Sequence, residues 1–158
     1  MDYYPLTFAE YSVLHSWTPV GSHIYTGTDI TADNVYSYAS GTVIATAKED
    51  LLHYCVTVQY DVFNILRYNN LRSVNVGAGE TVENGSLIGK ADKFLRFEYA
   101  TKGQGSSKWP VRVGTQTYWK QDPSLLEPTL TPPKTVVQRT ELTGAETFEE
   151  LSDGRGDG

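Results

Sequence analysis

The chain has 158 residues, enough for one ordinary domain with an extension, and a domain of that size buries a core without covalent staples. Its single cysteine, Cys55, excludes an internal disulfide, and with only three histidines, His15, His23 and His53, a structural zinc site is not expected. A net charge of −6 argues against nucleic-acid binding that depends on a general positive field, and no apolar run is long enough to span a membrane.

Residues 1–20 mix aromatic and aliphatic side chains without a sustained period. They are expected to form an N-terminal packing arm, with Thr7 to His15 able to make a short helical turn or two. Met1 is followed by acidic and aromatic residues, not by a basic and then an apolar stretch, so no ordinary signal peptide is expected either. From residue 35 the pattern becomes short β runs closed by turn signals: Val35–Tyr38, a corner at Ala39-Ser40-Gly41, then Thr42–Ala47. In Tyr54–Tyr60, Cys55, Thr57 and Gln59 alternate with Val56, Val58 and Tyr60, which predicts a half-buried strand. Phe63–Tyr68 is expected to pair with it as an antiparallel hairpin across Asp61-Val62, and Asn69-Asn70 to mark the next corner.

In residues 74–90, Gly77, Gly79, Gly85 and Gly89 separate pairs of apolar residues, a spacing suited to a chain folding back on itself. Phe94–Thr101 alternates cleanly. Leu95, Phe97 and Tyr99 make its core face, while Arg96 and Glu98 look outward or into a groove. Trp109–Val113 reads as a last short strand, and Gln121-Asp122-Pro123-Ser124 as the start of a final helical turn at Leu125-Leu126. Beyond Glu127 the chain turns to Pro, Thr, Glu and Gly, and residues 127–158, with seven acidic and three basic residues, carry −4 of the −6. So few apolar residues cannot offset the ordering entropy alone, so this is expected to be an extended tail ordered by a partner, with Val136-Val137 and Phe148/Leu151 as its anchors.

Local chemistry is sparse. No two histidines stand at i, i+2 or i, i+4, the spacings that would put two imidazoles on one metal, so all three read as surface or loop residues. Cys55 lies mid-strand and reads as a packed thiol. No serine sits in a G-x-S-x-G elbow, no helix follows Gly77-Ala78-Gly79 to make a phosphate site, and Arg155-Gly156-Asp157 is too short a match to mean integrin binding.

The order of motifs is more informative. Gly27-Thr28-Asp29-Ile30 followed by Val35–Val43, then Tyr68-Asn69-Asn70-Leu71, then Val76–Gly89, then Phe94-Leu95-Arg96-Phe97-Glu98-Tyr99 and finally Asp122-Pro123 resembles the lysostaphin-like (LytM-type) zinc endopeptidases of peptidoglycan. Their patterns run H-x-G-x-D-(I/L), V-x-A-x-x-x-G-x-V, Y-x-H-L, V-x-x-G-x-x-V-x-x-G-x-x-I-G, H-L-H-F-E-V and D-P. The resemblance spans about residues 21–126 and lies in the order of motifs that are each short. It implies an all-β fold, a small barrel-sandwich of the duplicated hybrid motif type with mainly antiparallel strands, flanked by the arm of residues 1–20 and the acidic tail of residues 127–158.

The same resemblance implies that the catalytic apparatus is degenerate. The first zinc histidine falls on Tyr25, the aspartate ligand is kept as Asp29, the last zinc histidine falls on Arg96, and the two further catalytic histidines fall on Asn70 and Phe94. One ligand of three survives, and an arginine that cannot be deprotonated stands where the cation would sit, with Asp29 as its implied partner. His23 beside Asp29 and Arg96 makes a poor replacement. The expectation is a catalytically inactive, cofactor-free module. Its expected setting is a bacteriophage tail, baseplate or similar virion assembly, built in the host cytoplasm and docked to other subunits through residues 1–20 and 127–158. Two alternatives stay open: a non-cleaving peptidoglycan binder with a groove lined by His23, Tyr25, Tyr68, Trp109 and Tyr118, and a zinc endopeptidase with relocated ligands.

Overall fold

Runs of β-branched and aromatic residues, cut by glycine and asparagine at the turns, put more than half of the described residues into strands. The computed structural model describes residues 13–103 and 108–126. Its strands are β1 (Val13–His15), β2 (Thr28–Thr31), β3 (Asn34–Tyr36), β4 (Gly41–Lys48), β5 (Tyr54–Gln59), β6 (Asn64–Val74), β7 (Thr81–Val82), β8 (Leu87–Thr101), β9 (Pro110–Val113) and β10 (Gln116–Gln121), closed by a 3-10 turn at Pro123–Leu125. The pairings are antiparallel and join the strands into one sheet, with the path β1-β2-β8-β6-β5-β4-β7 and branches to β3, β10 and β9. The fold is all-β, as the residue pattern and the family resemblance led us to expect. No helix among the described residues is long and apolar enough to cross a membrane.

The 15-residue β8 is the spine of the sheet. One of its edges runs along β6 for most of its length, while the other takes β3, β2 and β10 in succession. On one face of this spine Leu95 and Phe97 join Ile30, Val43, Val56, Val58, Leu66 and Leu71 in the main core. Side chains from strands so far apart in one sheet meet only if the sheet curls over that face, and each buried aliphatic contributes about 1.5–3 kcal/mol. Tyr68 is fully buried there, and its hydroxyl accepts the Tyr38 N–H at 2.8 Å. Close approach between β6 and β8 requires Gly89: a Cβ at that position would stand 2.2 Å from the Ser73 carbonyl oxygen.

Several expectations need correction. Val13–His15 is not helical but an edge strand on β2, and residues 1–12 lie outside the described residues, as do 104–107 and the tail 127–158 with its anchors. Tyr54–Gln59 is buried on both faces, Cys55 and Thr57 included, because the opposite side of the sheet carries a second apolar cluster of Ile65, Ala100 and Tyr118 backed by Ile44, Val111 and Val113. Asn69-Asn70 is no corner: β6 continues through it as a bulge with Asn70 at φ 68°, matched on β8 by Lys93 at φ 77°. Trp109–Val113 is not the last strand, because β10 returns antiparallel to β9 after Gly114. Of the four spaced glycines only Gly79 and Gly85 take left-handed angles. Glu98 does not face solvent; it is buried between Arg67 of β6, at 2.7 Å, and Lys120 of β10, at 2.9 Å.

Candidate functional site

The β2–β8 register places Asp29 directly opposite Arg96, and the β1–β2 register places His15 next to Asp29. Side chains opposite each other on one face of an antiparallel pair are near neighbours, so three strands deliver three polar groups to one spot. Tyr25 comes from the segment before β2, held by paired backbone hydrogen bonds with Thr18 at 2.7 Å. Its hydroxyl donates to Asp29 Oδ1 and accepts from Arg96 Nε. Arg96 Nε also reaches Asp29 Oδ1 at 3.3 Å, and His15 Nδ1 lies 3.2 Å from Asp29 Oδ2. Asp29 is 3% exposed and Arg96 41%, so a buried carboxylate is covered by a half-open cation.

Two rings frame the guanidinium, with the Tyr25 centroid 5.3 Å and the Phe94 centroid 5.8 Å from Arg96 Cζ. Burial and the Asp29 carboxylate raise the Tyr25 phenol above its usual range, so it stays protonated and donates. Burial alone would lower the Arg96 pKa, but Tyr25 and Asp29 outweigh it and raise it further, fixing the positive charge.

Asn70 and Phe94 do not join Asp29 as chemistry-bearing groups. Asn70 Nδ2 donates to the carbonyls of Asp92 (3.2 Å) and Phe94 (2.9 Å), clipping the β6 bulge to the β8 bulge, while its backbone N–H is taken by Glu49 Oε1 at 2.9 Å. Asn69 Nδ2 holds the Arg96 carbonyl at 3.1 Å. The structure does not assemble the expected groove. Tyr68 is sealed in the main core and Tyr118 in the second cluster, on opposite faces of the sheet. Trp109 is half-buried at the start of the β9–β10 hairpin, and His23 is exposed with Ser22 Oγ 3.1 Å from its Nδ1. The histidine beside Asp29 is His15, which local sequence pattern missed: it lies 14 residues away, and only strand pairing reveals the contact.

This donor set does not suit zinc. A catalytic zinc takes three protein donors and leaves a position open for water. Here Asp29 is engaged by Tyr25, Arg96 and His15, the phenol holds its proton, and a permanent cation sits against the one carboxylate. Among the described residues no three His, Cys, Asp or Glu side chains converge as a metal site.

Solved structures similar to this one include a zinc-containing peptidase from Vibrio cholerae (21% identity, TM-score 0.55, covering 64% of this chain and 37% of that one). Others are the antimicrobial peptidase lysostaphin from Staphylococcus simulans (16%, 0.60, 78% and 52%) and the SpoIIQ–SpoIIIAH pore-forming complex (19%, 0.62, 80% and 90%). The chain thus spans about a third of the first and half of the second. At these identities the likeness is one of fold. No curated protein matches the chain. The model of peptidase family M23 matches residues 23–104, just over half of the sequence and the whole of the β2–β8 framework that carries Asp29 and Arg96, and the chain belongs to that family.

Proposed function

We propose that the protein is a non-hydrolytic M23 domain used as a structural module within a larger protein assembly. The observation that carries this reading is the Arg96–Asp29 contact, with Tyr25 bridging the two. A guanidinium supplies a fixed positive charge and hydrogen bonds to the carboxylate, yet it neither activates water nor polarises a carbonyl as a Lewis acid. None of Tyr25, Asn70 and Phe94 is a general base near neutral pH. SpoIIQ, similar in fold, was solved in complex with SpoIIIAH, which supports the use of this framework for assembly. The setting we propose is a bacteriophage tail or baseplate formed in the host cytoplasm, with residues 1–20 and 127–158 docking onto neighbouring subunits. The low apolar content of the acidic segment 127–158 supports a role completed by partners. Cross-linking of native particles tests it: links from both segments to other chains are expected, and links within the chain alone overturn it.

The chemistry is tested by restoring donors. With Arg96→His and Tyr25→His alongside Asp29, zinc at a hundredfold excess over Kd is expected to stabilise the variant by about 2.7 kcal/mol, read as a rise in melting temperature. The natural sequence is expected to show no such rise. Zinc-dependent stabilisation of the natural sequence, with cleavage of wall peptides, overturns the non-hydrolytic reading.

A further inference from the structure

Arg96 uses only Nε for its protein contacts: among the described residues, neither of its terminal nitrogens has a hydrogen-bond partner. The side chain is nevertheless held in place. Nε is tied to Tyr25 and Asp29, the Asn69 side chain fixes the Arg96 carbonyl, and the rings of Tyr25 and Phe94 border the guanidinium. What remains open is the edge of a planar, pre-oriented fork, on a residue 41% exposed. An arginine whose position is already fixed loses little entropy on accepting a bidentate partner.

The shape of the fork selects the partner. A planar guanidinium edge matches a carboxylate, which takes its two parallel N–H donors at once. The bordering aromatic rings favour an anion that carries a small apolar group beside its charge.

We propose that the open edge of Arg96, between Tyr25 and Phe94, is a binding site for the terminal carboxylate of a peptide chain. The proposal rests on the non-hydrolytic reading, since it gives the arginine that displaces a metal a recognition role of its own.

The test is a titration of the full chain, freed of metal over a chelating resin and followed by amide chemical shifts. The probes are N-acetyl-alanyl-alanine, its C-terminal amide, acetate and inorganic phosphate. The acid is expected to bind with a Kd of about 1–10 mM, and the amide, acetate and phosphate at least about tenfold more weakly. Arg96→Gln is expected to lose at least about tenfold in affinity for the acid, and Arg96→Lys, which keeps the charge without the fork, to fall between. Shift changes are expected at Tyr25, Phe94 and Arg96. Acid and amide binding alike, acetate or phosphate binding as tightly as the acid, no acid binding, or full affinity in folded Arg96→Gln overturns the proposal. Because the titration is metal-free, its failure is separate from a zinc result that overturns the non-hydrolytic reading.

Discussion

Two carboxylates on the same face of the sheet, Asp29 and Glu98, are both buried, yet their cations differ. Glu98 is enclosed by Arg67 and Lys120, each 20% exposed, in a network closed to solvent on most sides. Asp29 has one fixed cation, Arg96, which is twice as exposed, together with the hydroxyl of Tyr25 and the ring of the largely exposed His15. Neighbouring positions of one strand, Arg96 and Glu98 of β8, therefore serve different ends. A closed network holds strands together, because removing one member strands the others without water. An open one leaves donors for something outside the chain.

Substitution separates the two. The largest effect is expected from Glu98→Ala, which removes the carboxylate that Arg67 and Lys120 share in a mostly buried setting: a loss of about 3 kcal/mol in urea denaturation, since breaking a buried pair from one side costs that much. A loss under about 1 kcal/mol, the range of exposed pairs, would put Glu98 in the same class as the open site. Arg96→Gln is expected to cost about 1 kcal/mol or less after discounting for the exposure of the guanidinium, because Tyr25 and His15 still serve Asp29. A cost equal to that of Glu98→Ala would make Arg96 a stabilising element and remove the contrast.

The smallest effect lies further out, where His53 bridges Asp50 (2.9 Å) of the β4–β5 connection to Asp92 (2.8 Å) at the β8 bulge. Donating hydrogen bonds to the Asp50 and Asp92 carboxylates raises the His53 pKa above its usual 6.5, and accepting from His53 lowers that of Asp50 below 3.8. For the histidine, whose folded pKa is raised, the stabilisation is complete below 6.5 and is lost as pH climbs through the raised value. For Asp50, whose folded pKa is lowered, it is present above 3.8 and is lost as pH falls through the lowered value. Amide exchange of residues 49–53 is therefore expected to be slowest relative to its intrinsic rate between those limits, and to lose that protection on the alkaline side. His53→Gln is expected to flatten the alkaline limb, and an unchanged limb would show that the bridge carries no charge.

Much of this was legible beforehand. The period-two runs around Tyr54–Tyr60 and Phe94–Thr101 mark strands, because alternation maps onto the two faces of a pleat regardless of context. The β6 bulge was not legible, because an Asn-Asn pair mimics a turn, and only the β8 backbone opposite turns it into a clip. Nor was the second face of the sheet. Glu98 is an ordinary outward position until Lys120 of β10 arrives to pair with it.

By itself the sequence determined the all-β class and the order of the family motifs, since these depend on residue identity and local period alone. Tertiary structure decided which groups meet. His15 reaches Asp29 across 14 residues, Lys120 reaches Glu98 across the β10–β8 pairing, and Tyr68 and Tyr118 are drawn into separate cores away from the surface. Contacts of that kind are set by strand register and sheet curvature, which sum over the whole hydrophobic pattern and leave no mark at any single position.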